Sequence, residues 1–249
     1  MENLFYDLFF DLENLSPIFM VGAGVLLGIL HAFEPDHIAA VGTQLIKSKN
    51  YSKKNLIASA FTKSSLIGIF WGAGHSTTIL TIGILSSFLA ISIQTEIFSK
   101  FELIVGGMLI LLGIITIKNK NFLKIKHKHP HTHSDGRTHY DAHDHSTSEH
   151  NHGHKSYLIG LIHGLAGSGS VIALTTIYFE NIETSLLFFL LFGLGSIIGM
   201  SIVSGLIGLP FVFYSKTKLL NKLFRNITGL VTVILGLTIF FQIGLTNFF

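Results

Sequence analysis

Two histidines, two carboxylates and a proline fall within seven residues, His31-Ala-Phe-Glu34-Pro35-Asp36-His37, inside an apolar run from about 17 to 46. Ionisable groups at membrane depth cost roughly 2.5–3.5 kcal/mol each on insertion scales, so they mark ion or substrate paths. One buried histidine in such a run is most simply a hydrogen-bonded packing residue. Four ionisable groups this close together exceed what packing explains. Neutral imidazole nitrogens with carboxylate oxygens suit borderline divalent ions such as Ni²⁺, Co²⁺ or Zn²⁺. On a straight helix His31 and His37 would lie about 120° apart, with Asp36 further round. Pro35 changes this. It has no N–H to give the carbonyl of His31, and it pushes Glu34 out of helical geometry. The helix is therefore predicted to break at Pro35, so that His31, Asp36 and His37 converge. The plain alternative for the proline is an ordinary membrane-helix kink.

Two further motifs lie at membrane depth. Gly72-Ala-Gly74-His75-Ser76-Thr77-Thr78 places a histidine beside three hydroxyls in a stretch whose small residues favour close helix contact. His75 reads either as a third nitrogen ligand, with Ser76 or Thr77 behind it, or as a packing histidine bonded to a neighbour. His163-Gly-Leu-Ala-Gly167-Ser168-Gly169-Ser170 has the glycines and serines of a backbone-lined ion path or of a close helix crossing. His163 is a metal contact on one reading and a packing residue on the other. Ser168 resembles the Gly-x-Ser-Gly nucleophile of rhomboid proteases, but position 166 is Ala and no histidine follows in a later helix to act as base.

The stretch 127–154 is of another kind. His127, His129, His131, His133, His139, His143, His145, His150, His152 and His154 alternate there with Asp135, Asp141, Asp144 and Glu149. Such a tract is expected to be structureless when free and to chelate metal; the plain reading is a solvated linker. These ten histidines and the four at membrane depth account for all 14 in the chain.

The elements that position these groups follow from composition. Of 249 residues 49% are hydrophobic and only 12% charged, where a soluble domain carries about a quarter charged. Six apolar segments, at about 17–46, 64–93, 101–117, 157–179, 184–214 and 223–246, approach or exceed the roughly 20 residues of a spanning helix. The expected fold is therefore all-α and polytopic. The first sixteen residues hold Glu2, Asp7, Asp11 and Glu13 but no base, so no secretory signal is read there. With no cysteine, disulfides and thiolate metal sites are excluded. No Gly-x4-Gly-Lys-[Ser/Thr] run occurs, so no nucleotide is expected.

Charge sets the orientation. Sixteen of the 17 Lys and Arg fall at Lys47–Lys63, Lys118–Lys155 and Lys216–Arg225, which are alternate connections. Bases gather on the cytoplasmic side, so these connections are predicted to be cytoplasmic and both termini outside the cell membrane. The sequence also repeats itself. Gly28-x-x-His31 matches Gly160-x-x-His163. Gly72-Ala-Gly74 matches Gly193-Leu-Gly195, and Phe101-x4-Gly106-x6-Gly113 matches Phe224-x4-Gly229-x6-Gly236. Three spans per half make the halves inverted, a layout common among secondary transporters. The expected divisions are an acidic tail (1–16), a first three-helix repeat (17–120), a His-rich cytoplasmic loop (121–155) and a second repeat (156–249).

The chain resembles the nickel/cobalt transporter superfamily. His31, Asp36 and His37 match the His-x4-Asp-His signature of NiCoT transporters, and Gly74-His75-Ser76-Thr77 looks like their second signature. That resemblance implies that the first run binds the metal and determines its transport. The common NiCoT run is His-Ala-x-Asp-Ala-Asp-His. The departure at Glu34-Pro35 is closer to nickel/cobalt efflux proteins, which also have about six helices and a cytoplasmic His-rich loop. Similar membrane domains occur in urease-accessory proteins, which points to nickel supply. The resulting expectation is a secondary transporter of Ni²⁺ and/or Co²⁺ and not an enzyme. It would have no organic cofactor and no nucleic-acid partner, with a cytoplasmic nickel acceptor as candidate partner. Uptake is favoured over efflux. The metal site would be His31, Asp36, His37 and His75, with Glu34 tuning charge or carrying protons and His163 nearby. The ten loop histidines would capture metal. A non-transporting metal sensor or accessory subunit is the alternative from another class.

Overall fold

A computed structural model describes residues 17–46, 55–89, 95–119, 128–132, 138–142, 153–178, 182–214 and 217–248. The calls on the N-terminal tail, and on His127, His133, His143, His145, His150 and His152, lie outside the described residues. Seven helices are present among them: α1 (Pro17–His31), α2 (Pro35–Leu45), α3 (Leu56–Leu89), α4 (Thr95–Ile117), α5 (Gly153–Tyr178), α6 (Ile182–Tyr214) and α7 (Lys218–Phe248).

The first apolar segment is divided, as its proline requires. The N–H groups of Ala32, Phe33 and Glu34 donate to the carbonyls of Ile29, Leu30 and His31, at 3.2, 3.0 and 3.1 Å. These three-residue steps tighten the end of α1 into a 3₁₀ turn. The carbonyl that Pro35 cannot serve, that of His31, is thus taken by Glu34. Glu34 itself is extended (φ −61°, ψ 143°) and Pro35 opens α2, where its fixed φ and missing N–H cost nothing. At 11 residues, α2 is about 16 Å long, half the thickness of a bilayer core.

Among the described residues, four helices carry stretches long and apolar enough to cross a membrane: Leu56–Ser86, Ser99–Ile117, Ile182–Phe211 and Leu219–Ile243. The protein is a polytopic membrane protein whose long elements are helices. Its outward faces are apolar. On α6, Leu187, Leu190, Leu194, Ile198, Ile202 and Leu206 form one exposed stripe at helical spacing, which suits lipid because a helix satisfies its backbone groups within the segment. Several helices begin before the apolar runs do. α3 starts at 56 rather than 64 and α4 at 95 rather than 101, and Lys63 lies inside α3. Hydropathy marks the apolar band, whereas the backbone hydrogen-bond ladder continues through polar residues beyond it.

α3 lies against both α5 and α6, α1 against α6, and α4 against α7. The short α2 is enclosed by α3, α4, α6 and α7. Its Ala40, Val41 and Leu45 are fully buried in a core with Trp71, Val105, Leu109 and Met200. Glycines permit the closest crossings, and they come in reciprocal pairs. A methyl group on Gly28 would strike the Phe192 carbonyl of α6, and one on Gly195 would strike the Val25 carbonyl of α1. Likewise Gly160 abuts the Trp71 carbonyl and Gly74 the Tyr157 carbonyl. On α4 and α7, Gly106 faces Gly236 and Gly113 faces Gly229. Such contacts bring backbones together without a hydrophobic driving force in lipid.

The His-rich tract is not wholly without regular structure. Strands β1 (Lys128–Thr132) and β2 (Thr138–Ala142) pair antiparallel, with His131 opposite His139. The expectation of a structureless tract is corrected to that extent. Interspersed threonine and tyrosine favour a strand.

Candidate metal centre

The break between α1 and α2 puts His31 on the last residue of one helix and Asp36 and His37 in the first turn of the next. Asp36 Oδ1 accepts the main-chain N–H of His37 at 2.9 Å, satisfying one of the unpaired donors at a helix start. A carboxylate at this end also suits the helix dipole. His75 comes from the middle of α3, held close by Gly72 and Gly74. His163 comes from α5, pinned where Thr78 Oγ1 donates across to the Leu161 carbonyl at 2.8 Å.

All four imidazoles meet. His31, His37, His75 and His163 are buried, with exposures of 8%, 1%, 0% and 0%. The His37 ring lies 4.4 Å from that of His31 and 4.4 Å from that of His163, centroid to centroid. Its distance to His75 is 5.1 Å, and His75 and His163 are 6.1 Å apart. The cluster is elongated, with His37 at its middle.

The carboxylates decide which nitrogens are free. A carboxylate oxygen accepts, so the nitrogen facing it carries the proton. His31 Nδ1 donates to Glu34 Oε1 at 2.8 Å, His37 Nδ1 to Asp36 Oδ1 at 3.0 Å, and His163 Nε2 to Asp36 Oδ2 at 3.0 Å. The opposite nitrogens, His31 Nε2, His37 Nε2 and His163 Nδ1, therefore present lone pairs. His37 Nε2, His163 Nδ1 and His75 Nδ1 are buried without a hydrogen-bond partner. Buried nitrogens left unpaired cost of the order of 1–3 kcal/mol each, a cost that a bound cation removes. Carboxylate–histidine pairs of this kind orient metal ligands and raise their basicity.

His31 Nε2 and His75 Nε2 are 3.1 Å apart. Two nitrogens bound to one ion at about 2.0–2.1 Å lie roughly 3.0–3.4 Å from each other, so this spacing matches ligation of a shared ion. Two groups have ligand atoms all within 4.8 Å: His31, His37 and His75, and Asp36, His37 and His163. Every residue expected at the transport site is thus in one cluster, with Glu34 at its half-exposed edge.

Ser76 and Thr77 do not support His75. Ser76 Oγ donates to the Gly193 carbonyl at 2.9 Å, and Thr77 Oγ1 to the Ala73 carbonyl at 2.7 Å. Both hydroxyls are drawn to main-chain acceptors within reach, the first of them tying α3 to α6. The sequence reading missed Trp71, the only tryptophan of the chain. It is fully buried and packs on His37 and His163 at 5.3 and 5.5 Å between centroids. Its place four residues before His75, on the same helix face, was the available signal. Phe192 packs on His31 at 5.4 Å in the same way. His129, His131 and His139 lie on the β-hairpin, and His154, in the first turn of α5, is exposed.

The family model described as Cytochrome C biogenesis protein transmembrane region matches residues 73–238. The Urease accessory protein UreH of Bacillus sp. (strain TB-90) is 34% identical over 247 residues, covering 95% of this chain and 96% of its own. No solved structure matches. The protein therefore belongs to the family of membrane proteins that the urease accessory protein UreH represents, the kind its motifs resemble, and residues 73–238 carry the cytochrome c biogenesis transmembrane region.

Proposed function

We propose that the protein is a secondary carrier of Ni²⁺, with Co²⁺ as alternative cargo, in the cytoplasmic membrane. The ion sits at the break between α1 and α2, ligated by His31, His37, His75, Asp36 and His163, with Glu34 at the entrance. The observation that carries this reading is the buried cluster of four imidazoles drawn from α1, α2, α3 and α5, three of them oriented by carboxylates. Two carboxylates beside neutral imidazoles offset the charge of a divalent ion in a low-dielectric site. A relative named for urease accessory work fits nickel supply, so uptake is the favoured direction, and the chain is a carrier rather than an enzyme.

The six-span architecture belongs to the same proposal, with inverted repeats at 17–120 and 156–249 around the cytoplasmic loop 121–155. It is supported by the reciprocal glycine contacts, in which Gly28 on Phe192 mirrors Gly160 on Trp71, and Gly195 on Val25 mirrors Gly74 on Tyr157. Both termini lie outside on this reading, because sixteen of the 17 bases fall on the other side. The ten loop histidines capture metal at the cytoplasmic face and pass it to an acceptor there.

The test is made in cells that depend on a nickel urease. Removing the protein lowers cellular nickel and urease activity if it imports, and raises cellular nickel and metal sensitivity if it exports. Wild type restores the original state and His37→Ala does not. If nickel content is unchanged by removal, while the purified protein still binds metal, the non-transporting accessory reading replaces the carrier.

A further inference from the structure

The site has two ends. His31 and His75 lie at one end, where their Nε2 atoms approach to 3.1 Å. Asp36 and His163 lie at the other, 3.0 Å apart. His37 belongs to both groups, its ring equidistant at 4.4 Å from His31 and from His163. Its Nδ1 side faces the carboxylates, 3.0 Å from Asp36 and 3.8 Å from Glu34, while its Nε2 is buried and unpartnered. Each end also has its own aromatic wall, Phe192 on His31 and Trp71 on His163.

We propose that the site offers one ion two overlapping seats, His31–His37–His75 and Asp36–His37–His163, and that transport passes the ion between them with His37 never letting go. This deepens the carrier reading and rests on it. The physical argument is one of barriers. Three nitrogen and oxygen ligands hold a borderline ion firmly, and releasing all of them at once in a low-dielectric interior would leave a bare charge. A shared ligand replaces full release by exchange of two ligands for two others. The terminal residues His31 and His163 are paired positions of the two sequence repeats. The first seat lies wholly in the first half, whereas the second brings His163 of the second half onto Asp36 and His37 of the first, so motion of one half against the other makes and breaks the second seat while the first stays within its own half. The seats differ chemically. The first is all nitrogen with Glu34 behind His31; the second includes a carboxylate oxygen, and the hydrogen bonds that His37 Nδ1 and His163 Nε2 donate to Asp36 open as the ion enters it.

The experiment uses the full chain in proteoliposomes and measures Ni²⁺ flux in both directions for wild type, His31→Ala, His163→Ala and His163→Gln. The glutamine retains an N–H for Asp36, and thermal melting of each variant separates misfolding from function. With two seats, removing the loading-side ligand raises KM by about tenfold or more, the usual size for loss of ligand-shell groups. Removing the far-side ligand mainly lowers the maximal rate. Reversing the gradient exchanges the two phenotypes, His31 against His163. Equal KM increases for both variants in both directions mean one seat and overturn the inference while leaving the carrier reading intact. Wild-type kinetics in well-folded His163→Ala also overturn it. Absence of flux in the wild type overturns the carrier reading, and the relay falls with it.

Discussion

Replacing Asp36 by Asn tests how the imidazoles are held. Oδ1 of Asp36 accepts two bonds from His37, its main-chain N–H at 2.9 Å and its Nδ1 at 3.0 Å. In Asp36→Asn the amide oxygen keeps that place, and the NH₂ group turns to His163 Nε2, 3.0 Å from Oδ2 in the native site. His163 must then accept at Nε2 and carry its proton on Nδ1, so the lone pair offered to the ion is lost. The negative charge is lost as well. For an ion in the His31–His37–His75 seat, a unit charge roughly 5 Å away at an effective dielectric of about 20 contributes about 6–7 kcal/mol gross, most of it offset by desolvation. Removal of such ligand partners leaves a net effect of about 10–100-fold in affinity, or about 1.4–2.7 kcal/mol. Initial rates of Ni²⁺ entry into proteoliposomes, measured across nickel concentrations, should show KM raised by that factor in a protein that melts like wild type. Glu34→Gln should do less, because Glu34 is half-exposed and its close bond is to His31 alone. A KM for Asp36→Asn indistinguishable from wild type would refute the reasoning that Asp36 sets the tautomers.

Other expectations follow from the same geometry. Protons compete for the imidazole lone pairs, so lowering the pH should raise KM for nickel; a profile that stays flat from alkaline to strongly acidic pH would remove histidine from the ligand set. Gly74→Leu should lower the melting temperature sharply, because its side chain would meet the Tyr157 carbonyl, whereas Gly22→Ala, with nothing within 4 Å, should be neutral or gain up to about 1 kcal/mol as a helix position. Deleting the ten-histidine tract should impair nickel handling at limiting and at toxic metal without changing KM; unchanged handling at both would remove the capture role.

The site was legible in the sequence to an unusual degree, for a physical reason. Charge and imidazole are so costly in a bilayer that their positions alone marked His31, Glu34, Asp36, His37, His75 and His163, and Pro35 marked where the helix must open. The pairing within the cluster was not legible. That Asp36 reaches across 127 positions to His163, or that His31 faces His75, depends on how α5 and α3 cross, and only the glycine spacing hinted at those crossings. Trp71 was harder to read for a similar reason: its place four residues before His75 was the available signal, but an aromatic in an apolar helix reads as lipid-facing bulk until its neighbours are known. Helix ends were misplaced wherever a helix runs on past the apolar band, as at Lys63. Ser76 and Thr77 looked like supports for His75, and instead found main-chain carbonyls closer at hand.

The central claim is that an ion crosses the membrane through the imidazole cluster at the break between α1 and α2. Its most direct test is flux of Ni²⁺, Co²⁺ and Zn²⁺ in proteoliposomes of defined orientation, wild type against His37→Ala. Flux of nickel or cobalt in the wild type that vanishes in the variant, with the loop histidines untouched, is the predicted result. Flux that persists in His37→Ala would place the path elsewhere and contradict the account.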